Sequence, residues 1–182
     1  IPERVLVILD EAYFEYAENV KDYPDSMSYR YDNVITLRTF SKCYGLAGLR
    51  VGYGFAHHIL IENLLKVKLP FEPSIPAQEA ALGAIDDKHH LKVTLEATNE
   101  GMKYLSNKFN LLGLNYIPSV ANFLTLIFKN HLEASKLVEL MIKKGIILRG
   151  LKSFGLANCV RITVGTKNEN EYFIKELNSI RN

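Results

Sequence analysis

Thr39-Phe40-Ser41-Lys42-Cys43-Tyr44-Gly45-Leu46-Ala47-Gly48-Leu49-Arg50-Val51-Gly52-Tyr53 sets one lysine among small hydroxyl residues, with an arginine eight positions further on behind two glycines. The residues leading into it, Val34-Ile35-Thr36-Leu37-Arg38-Thr39-Phe40, are rich in β-branched and apolar side chains and predict a buried strand. Ser41 and Lys42 then fall at its carboxyl edge, where open α/β sheets collect ligands. A lysine there can form a Schiff base with a carbonyl cofactor. Thr39 and Ser41 add hydroxyl donors, and Arg50 adds a planar fork suited to a phosphate. A lysine after a strand is by itself an ordinary surface residue; the whole fifteen-residue pattern is what points to a cofactor.

Val5-Leu6-Val7-Ile8-Leu9 is a continuous apolar run and predicts a central strand buried on both faces. It stops at Asp10-Glu11-Ala12-Tyr13. A buried carboxylate at a strand end needs a positive or protonated partner. A protonated ring nitrogen is one such partner, and Tyr13 offers a hydroxyl three residues on. The alternative is that Asp10 caps the following helix.

With these blocks in view, the chain resembles the fold-type I, aspartate-aminotransferase-like enzymes that use pyridoxal 5'-phosphate (PLP). Within them it is most similar to the histidinol-phosphate aminotransferases. The resemblance rests on D-E-A-Y at 10 to 13, R-T-F-S-K at 38 to 42, G-L-A-G-L-R-V-G-Y at 45 to 53 and R-I-T-V-G-T at 161 to 166, with Glu169 and Asn170 after it. It implies an α/β fold: the C-terminal part of a large, mostly parallel-sheet cofactor domain (1–96), then a small α/β domain (97–182). It implies that Lys42 holds PLP and moves the proton. Asp10 would pair with the ring nitrogen and Tyr13 with the ring oxygen, while Thr39, Ser41 and Arg50 would hold the phosphate. Arg161 would bind a substrate carboxylate and Arg149 the anionic end of a phosphorylated substrate.

The implied reaction moves an amino group between histidinol phosphate and 2-oxoglutarate in histidine biosynthesis. A threonine-phosphate decarboxylase-like lyase or an aromatic aminotransferase shares the same cofactor ligands, and a non-catalytic packing fragment is a further reading. The chain begins at Ile1, and family members are considerably longer. The expectation is therefore a C-terminal portion, inactive alone, whose preceding half supplies a phosphate-cradling loop, a stacking ring and an asparagine. A homodimer is implied for the full-length enzyme.

Composition suits a soluble globular protein. Hydrophobic residues make up 48% of the 182, and no apolar run approaches the ~20 residues that span a membrane. A net charge of +2 without a basic tract gives no indication of nucleic acid. Two cysteines, Cys43 and Cys159, are too few for a disulfide framework and suit a reducing cytoplasm. The pairs His57-His58 and His89-His90 do not share a helix face and read as surface residues, not metal ligands.

Coarse patterning predicts a polar loop or a frayed helix over 22–33 and helices over 58–66 and 78–85. The second is opened by Ser74 with Pro76. Asp86-Asp87 reads as the cap of a long helix over 88–111 that bridges two domains. The remainder reads as strands 115–117 and 122–128, helix 132–144, strands 146–149 and 159–164, and helix 169–179, with the helices on one face of a sheet.

Overall fold

The computed structural model describes residues 1–29 and 31–181. Arg30, inside the stretch read as a loop, and Asn182 lie outside the described residues. The chain divides into two compact units, Ile1–Thr94 and Leu95–Asn182.

The first unit holds a three-stranded sheet in the order β1 (Val7–Asp10), β2 (Val34–Thr39), β3 (Gly52–Ala56). β1 and β2 run parallel, with Val7 opposite Val34 and Asp10 opposite Leu37. β3 returns antiparallel, so its first residue, Gly52, lies opposite Thr39, the last residue of β2. That register returns the segment before Gly52, including Arg50, to the edge where β1 and β2 end.

Helix α1 (Phe14–Ala17) follows β1, and a 3₁₀ turn at Ser26–Ser28 lies within the stretch read as a loop. Helices α2 (His58–Val67) and α3 (Ile75–Asp86) follow β3. Ser74 caps α3 by accepting a hydrogen bond from the Ala77 N–H, with proline in the first turn. The core of this unit joins Phe40, Tyr44 and Val51 to Ala77 and Ala81.

Two expectations fail for β1. It is an edge strand rather than a central one. It is also not buried on both faces, since Ile8 is 59% exposed. β1 hydrogen-bonds to β2 alone among the described strands, which makes it the edge, and side chains on a face stay exposed unless another layer packs over them. Apolarity reports what a strand would bury, not what covers it.

Helix α4 (Lys88–Leu111) occupies the predicted range, and the Asp87 carboxylate accepts from the His90 N–H at its start. The boundary between the units falls inside α4.

The second unit is a four-stranded antiparallel sheet in the order β4 (Asn115–Ile117), β5 (Phe123–Ile127), β7 (Cys159–Thr163), β6 (Arg149–Gly150). Leu124 and Leu126 of β5 share a face with Val160 and Ile162 of β7 by strand alternation. Leu105 and Phe109 of α4 pack into the same core, with Leu137 and Met141 of α5 (His131–Lys143) and Phe173 and Leu177 of α6 (Lys167–Arg181). The helices thus contribute residues at i, i+4 spacing to one continuous core.

β6 is shorter than the predicted strand over 146–149. The preceding residues are used to end α5: Gly145 adopts φ 77°, its N–H bonds the Ile142 carbonyl, and the Ile146 N–H bonds the Met141 carbonyl. This left-handed cap claims Ile146 before the ladder can. α6 starts two residues earlier than predicted, because Thr166 and Glu169 form a reciprocal capping box.

Candidate active site

Parallel pairing of β1 and β2 puts two chain turns at one sheet edge. There, Asp10, Thr39, Ser41, Lys42 and Arg50 line one open cavity of about 390 Å³. Phe40 is anchored in the core against Tyr44 and Tyr53, at ring-centroid distances of 4.9 and 5.3 Å. With Phe40 held inward, the turn that follows can present Ser41 and Lys42 to the cavity. The Leu46 N–H closes this turn onto the Phe40 carbonyl at 2.9 Å, and the Gly45 N–H bonds the Lys42 carbonyl at 3.0 Å. The Lys42 ammonium sits 5.2 Å from the centre of the Tyr13 ring, which ties Tyr13 to the same place.

Asp10 is exposed, and its Oδ1 accepts from the Ala12 N–H at 3.1 Å. Within this chain the Asp10 carboxylate is solvated, so burial does not oblige it to take a charged partner as expected. Nor is Asp10 the helix cap, because Tyr13 stands at that position. The Thr39 hydroxyl accepts from the Ser41 N–H at 3.0 Å. Arg50 holds a left-handed backbone at φ 54°, and its Nη1 donates to the Ala47 carbonyl at 2.8 Å. A non-glycine residue in that region is uncommon and costs about 1–3 kcal/mol.

Arg38, which also lines this cavity, belongs to a polar cluster whose role the sequence did not indicate. Arg38 Nε donates to Glu11 Oε2 at 3.0 Å, and Nη2 reaches Asp25 Oδ1 at 2.9 Å. Burial works against the Arg38 charge, but the hydrogen bond and charge of Glu11, helped by Asp25, raise its pKa. The available signal was an arginine inside an apolar strand and a glutamate directly after another. Nearby, burial raises the Glu15 carboxyl above its ordinary range and pushes the Cys43 thiol up to about 11. Tyr44 is pushed up to about 12, again first by burial.

Arg149 and Arg161 lie in the second unit, directly opposite each other on β6 and β7. They line a cavity of about 630 Å³ with Glu169, Asn170 and Tyr172. Like charges facing across a ladder are destabilising unless something offsets them. Arg161 Nε is also buried without a hydrogen-bond partner among the described residues. Its guanidinium lies 5.0 Å from the Phe123 ring centre. An unsatisfied buried donor beside a second guanidinium suits an anion.

The family model of aminotransferase class I and II matches residues 2–177. The chain belongs to that family. This aminotransferase chain is 43% identical over 182 residues to histidinol-phosphate aminotransferase 2 of Carboxydothermus hydrogenoformans, covering 99% of itself and 50% of that protein. It is 44% identical to histidinol-phosphate aminotransferase 1 of Nitrosococcus oceani, covering 99% of itself and 48% of that protein. Among solved structures, it matches histidinol-phosphate aminotransferase of Sinorhizobium meliloti in complex with pyridoxal-5'-phosphate. That match has a TM-score of 0.87 and 31% identity, over 99% of this chain and 50% of that one. The aminotransferase chain thus spans about half the length of the curated relatives it matches. Its α/β architecture is that of the fold-type I aminotransferases, as the sequence led us to expect.

Proposed function

We propose that the whole protein is a PLP-dependent aminotransferase exchanging an amino group between histidinol phosphate and 2-oxoglutarate, in histidine biosynthesis. The observation that carries this reading is the grouping of an amine, a carboxylate, two hydroxyls and a guanidinium around one cavity at the ends of two parallel strands. That donor set fits PLP: an aldehyde for Lys42, a ring nitrogen for Asp10 and a phosphate for Thr39, Ser41 and Arg50. Tyr13, held against Lys42, supplies a hydroxyl for the ring oxygen. Residues 1–96 belong on this reading to the cofactor domain and 97–182 to a smaller domain.

Bound PLP supplies an electron sink that makes the Cα–H of an amino acid acidic. Lys42, freed as an amine once the substrate amine has displaced it from the aldehyde carbon, would take that proton and return it to the former aldehyde carbon, as a general base and acid on one flexible stem. Asp10 keeps the ring nitrogen protonated by charge. Arg161 takes the substrate carboxylate, its buried Nε accounting for one bond, and Arg149 takes the phosphate end. No helix among the described residues is long and apolar enough to cross a membrane. A cytoplasmic homodimer is the form that goes with this reading.

The test is to load the whole protein with PLP, reduce it with borohydride and map the modified peptide. Attachment at Lys42, lost in Lys42→Ala together with amino transfer from histidinol phosphate, is the expected result. Attachment at another lysine, or full turnover in Lys42→Ala, overturns the assignment. Carbon dioxide release from threonine phosphate would identify the lyase instead.

A further inference from the structure

We propose that Arg38 is a positioning residue for the reaction, clasping the two strand ends that carry Asp10 and Lys42. The inference rests on the cofactor reading above. Arg38 sits on β2 with its side chain only 10% exposed. Its Nε donates to Glu11 Oε2 at 3.0 Å, while Nη2 meets Glu11 Oε2 and Asp25 Oδ1, each at 2.9 Å. The guanidinium carbon lies 3.4 Å from the centre of the Phe14 ring. Glu11 is itself committed, since its Oε1 accepts from the Ser26 N–H at 3.3 Å and its own N–H bonds the Leu37 carbonyl at 2.8 Å.

Two contacts of this guanidinium, Glu11 and Phe14, and Arg38 itself each adjoin a residue assigned to the cofactor. Glu11 follows Asp10, Phe14 follows Tyr13, and Arg38 precedes Thr39. The β1–β2 ladder that aligns these groups pairs only four residues, Val7 to Asp10. At the carboxyl edge of this short ladder the clasp adds side-chain bonds to the Glu11–Leu37 backbone bond, joining the two strand ends a second time. A planar fork that hydrogen-bonds two carboxylates while stacking on a ring fixes direction as well as distance, which an ammonium cannot do. Stability alone does not call for this arrangement, because well-packed apolar residues often replace a buried ion pair without loss.

The test compares Arg38→Lys and the double variant Glu11→Gln/Arg38→Gln with the unmodified whole protein, all loaded with PLP. The double variant removes both charges together and so avoids an unpaired buried ion. Visible absorbance is titrated against pH, kcat and KM are measured, and thermal unfolding is followed in parallel. The expected result is that both variants keep the cofactor but shift the pH midpoint of its absorbance. kcat should drop by roughly a hundredfold, the scale of a small misplacement of reacting groups, and KM should change far less. An unchanged midpoint and kcat in either folded variant, with only the unfolding temperature lowered, overturns the inference and leaves Arg38 a structural ion pair. An unmodified protein that takes up no PLP overturns the cofactor reading, and this inference with it.

Discussion

Cys43 adjoins the lysine but is chemically quiet. Its side chain is 1% exposed, and burial, with the charge of Glu15 second, pushes its thiol up to about 11. Only the thiolate is nucleophilic, so at neutral pH almost none is available. Iodoacetamide at pH 7.5 should leave Cys43 unlabelled in the native protein and label it after unfolding; peptide mapping reads both. Rapid native labelling would contradict the geometry. Asp10 gives a different contrast. It is exposed and bonds only the nearby Ala12 N–H among the hydrogen bonds seen, a bond asparagine can also make. Asp10→Asn should therefore alter stability by no more than about 0.5 kcal/mol. It should still weaken PLP retention, measured by absorbance after dialysis. Equal loss of both would make Asp10 a structural residue.

At the scale of elements, Gly101 decides how closely α4 approaches the turn before α6. A Cβ there would collide with Val164 and stand 2.8 Å from Asn170 Nδ2. Asn170 cannot easily give way, because it bonds both the N–H and the carbonyl of Gly165. Gly101→Ala should cost about 1–3 kcal/mol by overpacking, in spite of alanine's better helix propensity. Urea denaturation measures this, and a more stable variant would show that the approach is slack. Glu15 on α1 carries a pH dependence. Burial raises its carboxyl, and its Oε2 is buried without a hydrogen-bond partner. A raised carboxylate holds its proton more tightly when folded. Stability is therefore lost as pH rises from the ordinary value of 4.5 through the folded one. Glu15→Gln removes this loss, so its stability relative to the unmodified protein should rise between pH 4.5 and 7. A difference that stays flat or falls over that range would show that Glu15 is ionised at little expense.

Over the whole molecule, apolar burial is unevenly shared. The second unit has a continuous core through Leu105, Phe109, Leu124, Leu126, Val160 and Ile162, each 3% exposed or less. In the first unit, α2 buries no residue, and Ile8, Phe71 and Ile75 are 59%, 95% and 74% exposed. Local opening follows such differences. Amide exchange should be slowest at 124, 126, 160 and 162, and fastest in β1 and α2. The reverse order would mean that the first unit is held by something other than its own core. Exposed apolar surface of this kind also promotes association. Light scattering on the 182-residue chain should give a mass above 20.7 kDa that grows with concentration.

Residue order alone determined the family and most of the elements. Local patterns such as Asp87 before α4, or Tyr116-Ile117 in the short run 115–117, act over a few positions and can be read there. The chemistry of the lysine segment is local in the same sense, because Thr39, Ser41 and Lys42 are neighbours in the chain. Tertiary structure alone decided what depends on partners far away. The β2–β3 register brings Arg50 back beside Thr39, and the parallel β1–β2 pairing sets Asp10 at the same edge. Arg38 acquired its meaning only when Glu11, 27 positions away, arrived under it. The apolar run at 5–9 misled for the same reason: hydrophobicity is a property of a residue, whereas burial belongs to its surroundings.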